Sequence, residues 1–198
     1  MLLYEFTKFY ELLFKFPPVL IWREKAINSL EKELKNLNIK PSNILDVGCG
    51  TGILISLLRK LYPQSEILGI DISAPMLNLA IKRYGKLAKF KNLDFFYFKE
   101  RQDLIIVFHS FTYFPLVPVI EKIKSLLNPG GSCVIVTNGR APFSIIHQFI
   151  VSKLLRTKLN IYSPKDFQSL FPHTKWDLHS RIISQFEGSF ILSVSNKI

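Results

Sequence analysis

The sequence has few cysteines, which limits the kinds of site that it can form. Of its 198 residues only two are cysteine, Cys49 and Cys133. Neither belongs to a Cys-x-x-Cys pair or to a histidine cluster, so the sequence predicts no disulfide framework and no metal site. We expect both thiols to be reduced and the protein to be cytoplasmic.

Long uninterrupted apolar runs are also missing. The apolar stretch at the beginning of the sequence is broken by Glu5, Lys8, Glu11 and Lys15, and no small-residue cleavage site follows it. A membrane span needs roughly 20 apolar residues, so we expect neither a signal peptide nor a transmembrane helix. The spacing of apolar residues from Leu3 to Phe14 predicts an amphipathic helix instead.

Acidic residues are scarce beside basic ones. The sequence has 15 Asp and Glu against 26 Lys and Arg, a formal net charge of +11. Such a charge attracts nucleic acids and anionic lipid surfaces, but the sequence shows no zinc module and no basic tract interleaved with aromatic residues. We expect a solvated basic surface. Nucleic acid and transient membrane-surface contact stay open as partners, without being favoured.

The most informative stretch that is present runs from Ile44 to Gly52. A short apolar run typical of a buried parallel strand ends at Val47, and glycines follow at positions 48, 50 and 52. A backbone without Cβ atoms can turn tightly and approach a ligand closely. Residues 53–61 then have the apolar spacing of a helix, whose N-terminal N–H groups favour anionic groups.

A second apolar run, Ile67–Ile70, leads into Asp71. Nucleotide-binding sheets place a carboxylate about 20 residues beyond the glycine turn, against ribose hydroxyls. The dinucleotide fingerprint G-x-G-x-x-G would need glycine at position 53, where this chain has Ile53. The sequence therefore predicts a nucleotide-type cofactor and disfavours a dinucleotide.

The pattern from Asp46 to Gly52, Asp-x-Gly-x-Gly-x-Gly, resembles the first-strand signature of the class I S-adenosylmethionine-dependent methyltransferases. Four further elements follow in that family's order, over roughly residues 43–137. They are the acidic second strand ending at Asp71, a helix start at Ala74-Pro75-Met76-Leu77, a fourth strand Asp103–Val107, and Leu127-Asn128-Pro129-Gly130-Gly131 as a turn before a fifth strand Ser132–Val136. Asp103 is mainly architectural in that family.

The resemblance implies an α/β fold. We expect a Rossmann-like, seven-stranded, mostly parallel sheet with helices on both faces. An antiparallel C-terminal hairpin should be formed by 176–184 and 189–196 around Glu187-Gly188, as the alternating residues there also predict.

We expect residues 1–198 to form a single methyltransferase domain. Residues 1–40 would be an N-terminal helical cap, with a second helix from Trp22 to about Leu37 after Pro17-Pro18. Residues 139–171 would be a helical insertion with helices at 143–159 and about 167–171. The first of these helices is a lid over an apolar acceptor, a basic amphipathic helix touching a membrane or partner, or an ordinary packed helix.

The resemblance also implies the site. S-adenosylmethionine would be the cofactor and S-adenosylhomocysteine its product. Asp46, Gly48, Cys49, Gly50 and Gly52 would contact the methionine part, and Asp71 the ribose, with Ile72 and Met76 also beside the cofactor. Asp94, at the end of a third strand from Lys89, and Phe95 would hold the adenine. His109 would lie beside the sulfonium as a pocket wall or a candidate for a general base, or it would be a core residue. The candidates for the acceptor pocket are Tyr4, Tyr10, Tyr113 and Phe149.

Methyl transfer from a sulfonium is a direct displacement that needs alignment more than a catalytic base. No Asn-Pro-Pro-Tyr-like tetrapeptide follows the fourth strand, so methylation of DNA bases or protein glutamine is less expected. We expect a small or lipid-like acceptor. Tyr10-Glu11 and Trp22-Arg23 loosely resemble the quinone-biosynthesis C-methyltransferases, so quinones are included. RNA methylation and cofactor binding without turnover are the alternatives.

Overall fold

The computed structural model describes residues 17–139, 159–184 and 188–197. Seven strands in these residues form one sheet. They are β1 (Asn43–Val47), β2 (Glu66–Asp71), β3 (Lys89–Asn92), β4 (Gln102–Phe108), β5 (Leu127–Asn138), β6 (Trp176–Ile182) and β7 (Ser189–Asn196). Their order in the sheet is β3-β2-β1-β4-β5-β7-β6. The pairs β1–β2, β2–β3 and β4–β5 are parallel, and β7 runs antiparallel to both β5 and β6. The predicted mostly parallel sheet with an antiparallel C-terminal hairpin is confirmed.

Helices alternate with the parallel strands. They are α1 (Pro17–Asn36), α2 (Ile55–Leu61), α3 (Ala74–Tyr84), α4 (Leu116–Leu126) and α5 (Pro164–Gln168), with 3-10 turns at Phe95–Tyr97 and Phe111–Tyr113. The expected start of α1 at Trp22 was wrong, because proline is tolerated in the first turn of a helix and α1 begins at Pro17 itself. The start of α5 was also placed too late, since Ser163 and Asp166 form a capping box around Pro164.

None of the helices in the described parts of the chain is long and apolar enough to cross a membrane. The predicted helix before Pro17 lies outside the described residues, as does nearly all of the predicted helix at 143–159.

The chain divides into two compact units, Met1–Phe98 and Lys99–Ile198. In the first unit, β1 fills the core with Ile44, Leu45 and Val47, none more than 1% exposed. Ala26, Leu30 and Leu34 recur every fourth residue on α1 and are equally buried, so α1 turns one apolar stripe inward.

Arg59 fixes the loops that precede β2 and β3 in the first unit. Its guanidinium donates hydrogen bonds to the carbonyl oxygens of Leu87 (2.6 Å), Pro63 (2.8 Å) and Ser65 (2.9 Å). One side chain therefore connects the end of α2, the start of β2 and the connection that leads into β3.

The second unit corrects one prediction about β5. Gln102 pairs with Leu127 and Leu104 with Ser132, so residues 128–131 stand opposite Asp103 alone. Asn128-Pro129-Gly130-Gly131 is thus an irregularity inside β5, where a turn before the strand was expected. The Asp103 carboxylate accepts a hydrogen bond of 2.7 Å from the Asn128 side chain, which gives it the architectural role that the resemblance implied.

Candidate functional site

The turn after β1 is held against the neighbouring strand. Gly48 N–H and Cys49 N–H both donate to the Ile70 carbonyl oxygen of β2, at 2.8 Å and 3.1 Å. Gly48, Gly50 and Gly52 have φ angles of 66°, 54° and 79°, in the left-handed region that glycine adopts without strain. The alternate spacing of the glycines therefore reflects the backbone path of this turn.

Two of these glycines have different reasons to lack a side chain. A Cβ on Gly52 would lie 2.8 Å from Tyr84 Cδ2 and 3.3 Å from Ala80 Cβ, so Gly52 lets the turn pack against α3. A Cβ on Gly50 would meet nothing within 4 Å. Gly50 thus borders open space, which leaves its backbone accessible to a ligand.

Asp71 closes the turn from the side of β2. Its Oδ2 accepts the Gly50 N–H at 2.9 Å and its Oδ1 accepts the Ser73 N–H at 2.8 Å. Burial raises the pKa of Asp71 above its usual value, against the opposing effect of those two N–H groups and that of Ile72. Since a carboxylate has about four lone-pair positions, Asp71 retains acceptor capacity for ligand hydroxyls.

Asp46 is a buried carboxylate within the same cluster. It is 2% exposed, and its Oδ2 has no hydrogen-bond partner. Burial, and then the charge of Asp71, raise the pKa of Asp46 to about 7. Buried polar atoms in proteins are nearly always hydrogen-bonded, so an unpartnered oxygen beside an open glycine turn marks a place for a ligand donor.

Cys49 points away from the open side of the turn. Its side chain is 5% exposed, and its Sγ lies 2.8 Å from the position that a Cβ on Gly69 would take. Burial is the main cause that raises the pKa of its thiol, and the charges of Asp46 and Asp71 raise it further. Any ligand contact of Cys49 would come from its backbone.

The loop after β3 lies beside Asp71. Asp71 O accepts the Leu93 N–H at 3.1 Å and the Asn92 side-chain amide at 2.8 Å. β3 ends at Asn92, so the expectation that this strand reaches Asp94 was wrong. Asp94 instead caps the following 3-10 turn and accepts the Phe96 N–H at 2.9 Å.

The candidate adenine residues differ in exposure. Phe95 is only 3% exposed and Met76 only 7%, so both present little surface to a ligand. Ile72 is 74% exposed although it is a large apolar residue next to Asp71. The exposed side chain of Ile72 is better suited to contact with the flat adenine ring than the buried side chain of Phe95.

Comparisons with known proteins agree with this geometry. A family model described as "Methyltransferase domain" matches residues 21–180. The chain belongs to this methyltransferase domain family.

Similar proteins support the assignment. The malonyl-(acyl-carrier protein) O-methyltransferase of Priestia megaterium is 34% identical over 131 residues, which are 62% of this chain and 45% of that protein. The chain thus spans less than half the length of this relative. Magnesium protoporphyrin IX methyltransferase from Synechocystis PCC 6803, solved with bound S-adenosylhomocysteine, has a TM-score of 0.71 at 17% identity. The match covers 89% of this chain and 84% of that one. An S-adenosylmethionine-dependent methyltransferase from Clostridium acetobutylicum has a TM-score of 0.71 at 15% identity, covering 98% and 99%. The resemblance in the sequence and its fold class are confirmed.

The predicted residues of the methyltransferase domain are only partly brought together. The first unit joins Asp46, the glycine turn and Asp71 through the contacts given above. His109 and Tyr113 belong to the second unit; the contact of His109 with the cofactor and that of Tyr113 with the acceptor stay predictions. Tyr4, Tyr10 and Phe149 lie outside the described residues.

His109 has an unusual backbone conformation for a residue with a side chain. Its φ is 56°, in the left-handed region, and its N–H donates to the Val136 carbonyl oxygen at 2.8 Å. Its ring lies edge-on to Phe108, with 4.5 Å between centroids. Residues held in this region often mark functional sites, which supports a role at the carboxyl end of β4.

Sequence reasoning missed three residues of the methyltransferase domain. Gly69 pairs with Asp46 across β1 and β2 and makes room for Cys49; a glycine inside a strand was the available signal. Asn160 and Tyr162 fix the loop after β4. The Asn160 side chain and the Tyr162 hydroxyl both donate to the Phe114 carbonyl oxygen, at 3.0 Å and 2.7 Å. No local pattern in the sequence indicates this contact.

Proposed function

We propose that this methyltransferase domain transfers a methyl group from S-adenosylmethionine to a small-molecule or lipid-like acceptor. The observation that carries the proposal is the cluster of Asp46, Gly50 and Asp71. It combines an unpartnered buried carboxylate oxygen, an open glycine turn and a carboxylate fixed by two backbone N–H groups.

The residues of the cluster fit the parts of the cofactor. Asp46 offers an acceptor, and a negative charge when deprotonated, to the ammonium of the methionine part. Asp71 accepts ribose hydroxyls with the lone pairs that the Gly50 and Ser73 N–H groups leave over. Ile72 supplies an exposed apolar surface for the adenine, and Asp94 an acceptor for its amine.

The chemistry required of the protein is modest. When bound, S-adenosylmethionine supplies a methyl group on a sulfonium, a leaving group that is already activated. The protein needs to orient the acceptor in line with that carbon–sulfur bond and to exclude water. A general base is needed only when the acceptor must lose a proton. His109 is our candidate for that base, and Tyr113, 47% exposed, for a residue that contacts the acceptor.

The names of similar proteins support the acceptor class. The Priestia megaterium relative acts on a malonyl group of an acyl carrier protein, and the Synechocystis neighbour on magnesium protoporphyrin IX. The first acceptor is a small acyl group carried by a protein, and the second is a small molecule. We extend that class, with quinones included, to this chain.

The proposal is tested in two steps. Isothermal titration with S-adenosylhomocysteine should show binding at one site, and a transfer assay with methyl-labelled S-adenosylmethionine should show label in an acceptor from a panel of carboxylic acids, acyl thioesters and quinones. Binding without transfer to any acceptor, including RNA, would favour a binding module without turnover. Absence of binding would reject the proposal.

A further inference from the structure

One edge of the first unit is strongly basic. The sequence between Asp71 and Asp94 contains five Lys and Arg residues and no Asp or Glu. All five side chains are exposed, and we call this set the basic edge: Lys82, Arg83, Lys86, Lys89 and Lys91. It is formed by the end of α3, the following connection and β3, which is the outermost strand on its side of the sheet.

The basic edge is held in place by the backbone. Leu87 N–H and Ala88 N–H both donate to the Tyr84 carbonyl oxygen, at 2.8 Å and 3.1 Å, so the connection from α3 into β3 is a tight turn. The Arg59 guanidinium also donates a hydrogen bond to the Leu87 carbonyl oxygen of this turn. Lys89 and Lys91 project from the same face of β3, about 7 Å apart along the strand. The backbone that carries the row of positive charges is therefore fixed.

The ion pair that Lys89 forms in this row is weak. Lys89 Nζ lies 3.5 Å from Glu66 Oε1, and both side chains are 76% exposed. Exposed pairs of this kind are weak, so an incoming phosphate can replace Glu66. Lys82, Lys86 and Lys91 add three further exposed ammonium groups.

An exposed aromatic ring follows the row directly. Tyr97 is 73% exposed, on the 3-10 turn that starts three residues after β3. The turn is fixed, since the Tyr97 N–H donates to the Asp94 carbonyl oxygen at 3.0 Å and the Asp94 side chain accepts the Phe96 N–H. An exposed ring that closely follows a series of ammonium groups along the chain offers both features on which single-stranded nucleic acids bind, cations for the phosphates and a ring for a base.

We propose that the basic edge and Tyr97 form a binding surface for single-stranded nucleic acid. The ring favours nucleic acid over an acidic protein, which has use for the lysines but no base to stack on Tyr97; binding of an anionic membrane is an outcome of the test. The inference goes beyond the proposed methyl transfer, because this binding requires neither cofactor nor acceptor.

The test measures the affinity for a fluorescein-labelled oligouridylate of about ten nucleotides by fluorescence anisotropy, without cofactor, over a series of salt concentrations. The triple variant Lys82→Gln, Lys86→Gln, Lys91→Gln should lose at least about tenfold in affinity, and the slope of log affinity against log salt should become shallower by about 2, because three phosphate contacts are removed. The control variant Lys25→Gln, Lys32→Gln, Lys40→Gln removes the same charge from exposed positions in and just after α1 and should keep the parent slope.

Variants at Tyr97 distinguish the contribution of stacking to the affinity from that of charge. Tyr97→Leu should lose about tenfold in affinity with an unchanged salt slope, and Tyr97→Phe should bind like the parent, because the ring is kept. Circular dichroism confirms that each variant is folded. Equal losses in the two triple variants would overturn the proposal, as would no loss in Tyr97→Leu. It would also be overturned if the parent did not bind oligouridylate while Tyr97→Leu bound phosphatidylserine vesicles as the parent does.

Discussion

The Gly50 N–H donates a hydrogen bond of 2.9 Å to Asp71 Oδ2, which joins residues 21 positions apart in the sequence. The contact aligns the glycine turn with the tip of β2. It places the open side of the turn, the fixed carboxylate of Asp71 and the buried carboxylate of Asp46 in one cluster, from which the proposed cofactor binding follows.

Replacement of Asp71 by asparagine should weaken cofactor binding. Asp71→Asn keeps the shape of the side chain but replaces one of the two oxygens that accept backbone N–H groups with a donor. Because a hydrogen bond to a charged group contributes about 1.5–3 kcal/mol, we expect the affinity for S-adenosylhomocysteine to fall at least about tenfold in isothermal titration.

The matched control for this variant is Glu66→Gln. Glu66 is the first residue of the same strand. Its carboxylate is exposed and forms an ion pair with Lys89. Its replacement should leave the affinity unchanged. Parent-like affinity in Asp71→Asn would show that Asp71 does not bind the ribose.

Alanine at Gly50 should mainly affect ligand binding, and alanine at Gly52 should mainly affect stability. Gly50→Ala places its Cβ in open space, so its stability should fall only by the backbone strain of about 1–2 kcal/mol, while binding of S-adenosylhomocysteine is lost. Gly52→Ala brings its Cβ to 2.8 Å from the Tyr84 ring and should lose a further 1–3 kcal/mol, roughly, by overpacking. Urea unfolding and isothermal titration measure the two properties.

A second substitution tests the cause at Gly52. Tyr84→Leu in the Gly52→Ala background removes the ring that the new Cβ meets, so the two changes should be less destabilising together than the sum of each alone. Additive losses would mean that the Tyr84 contact does not determine the need for glycine.

The stability of the cofactor-free protein should depend on pH through Asp46. The pKa of Asp46 is about 7 in the folded protein and 3.8 as its ordinary value. Below about pH 4 the group is protonated in both states; between about 4 and 7 unfolding releases a proton, so the free energy of unfolding falls as the pH rises, by up to about 4 kcal/mol. Asp46→Asn cannot titrate and should gain stability relative to the parent over this range.

The measurement is the difference in free energy of unfolding between Asp46→Asn and the parent, from urea titrations at pH 5, 6, 7 and 8. Taking the difference cancels other groups that titrate equally in both proteins. A difference that stays constant with pH would contradict the raised pKa of Asp46.

Loss of the Tyr162 hydroxyl should loosen the loop after β4. Tyr162→Phe removes the hydrogen bond of 2.7 Å to the Phe114 carbonyl oxygen but keeps the ring contacts with Phe111 and Phe167. We expect the free energy of unfolding to fall by about 1 kcal/mol. Tyr97→Phe removes an exposed hydroxyl and should change it by less than about 0.5 kcal/mol; equal effects would show that the Tyr162 contact adds nothing.

Patterns between neighbouring residues predicted most of the elements. The apolar run before Val47 and the glycines after it predict a strand and a turn, because a run of apolar residues and the access of glycine to positive φ angles are local properties of the chain. Prediction failed where distant residues decide. Pro129-Gly130-Gly131 has the composition of a turn, but the residues that flank it, Leu127 and Ser132, both pair with β4, and this places it inside β5.

The sequence by itself determined the position of the glycine turn and of the acidic residue Asp71 after the second apolar run, because spacing along one chain encodes them, and the family resemblance of its motifs predicted the fold class. Only the tertiary structure decided that Asp46 Oδ2 is unpartnered, that Cys49 packs over Gly69, and that Asn160 and Tyr162 hold the loop after β4. Each of these depends on burial or on a contact between residues far apart in the chain, which no local pattern specifies.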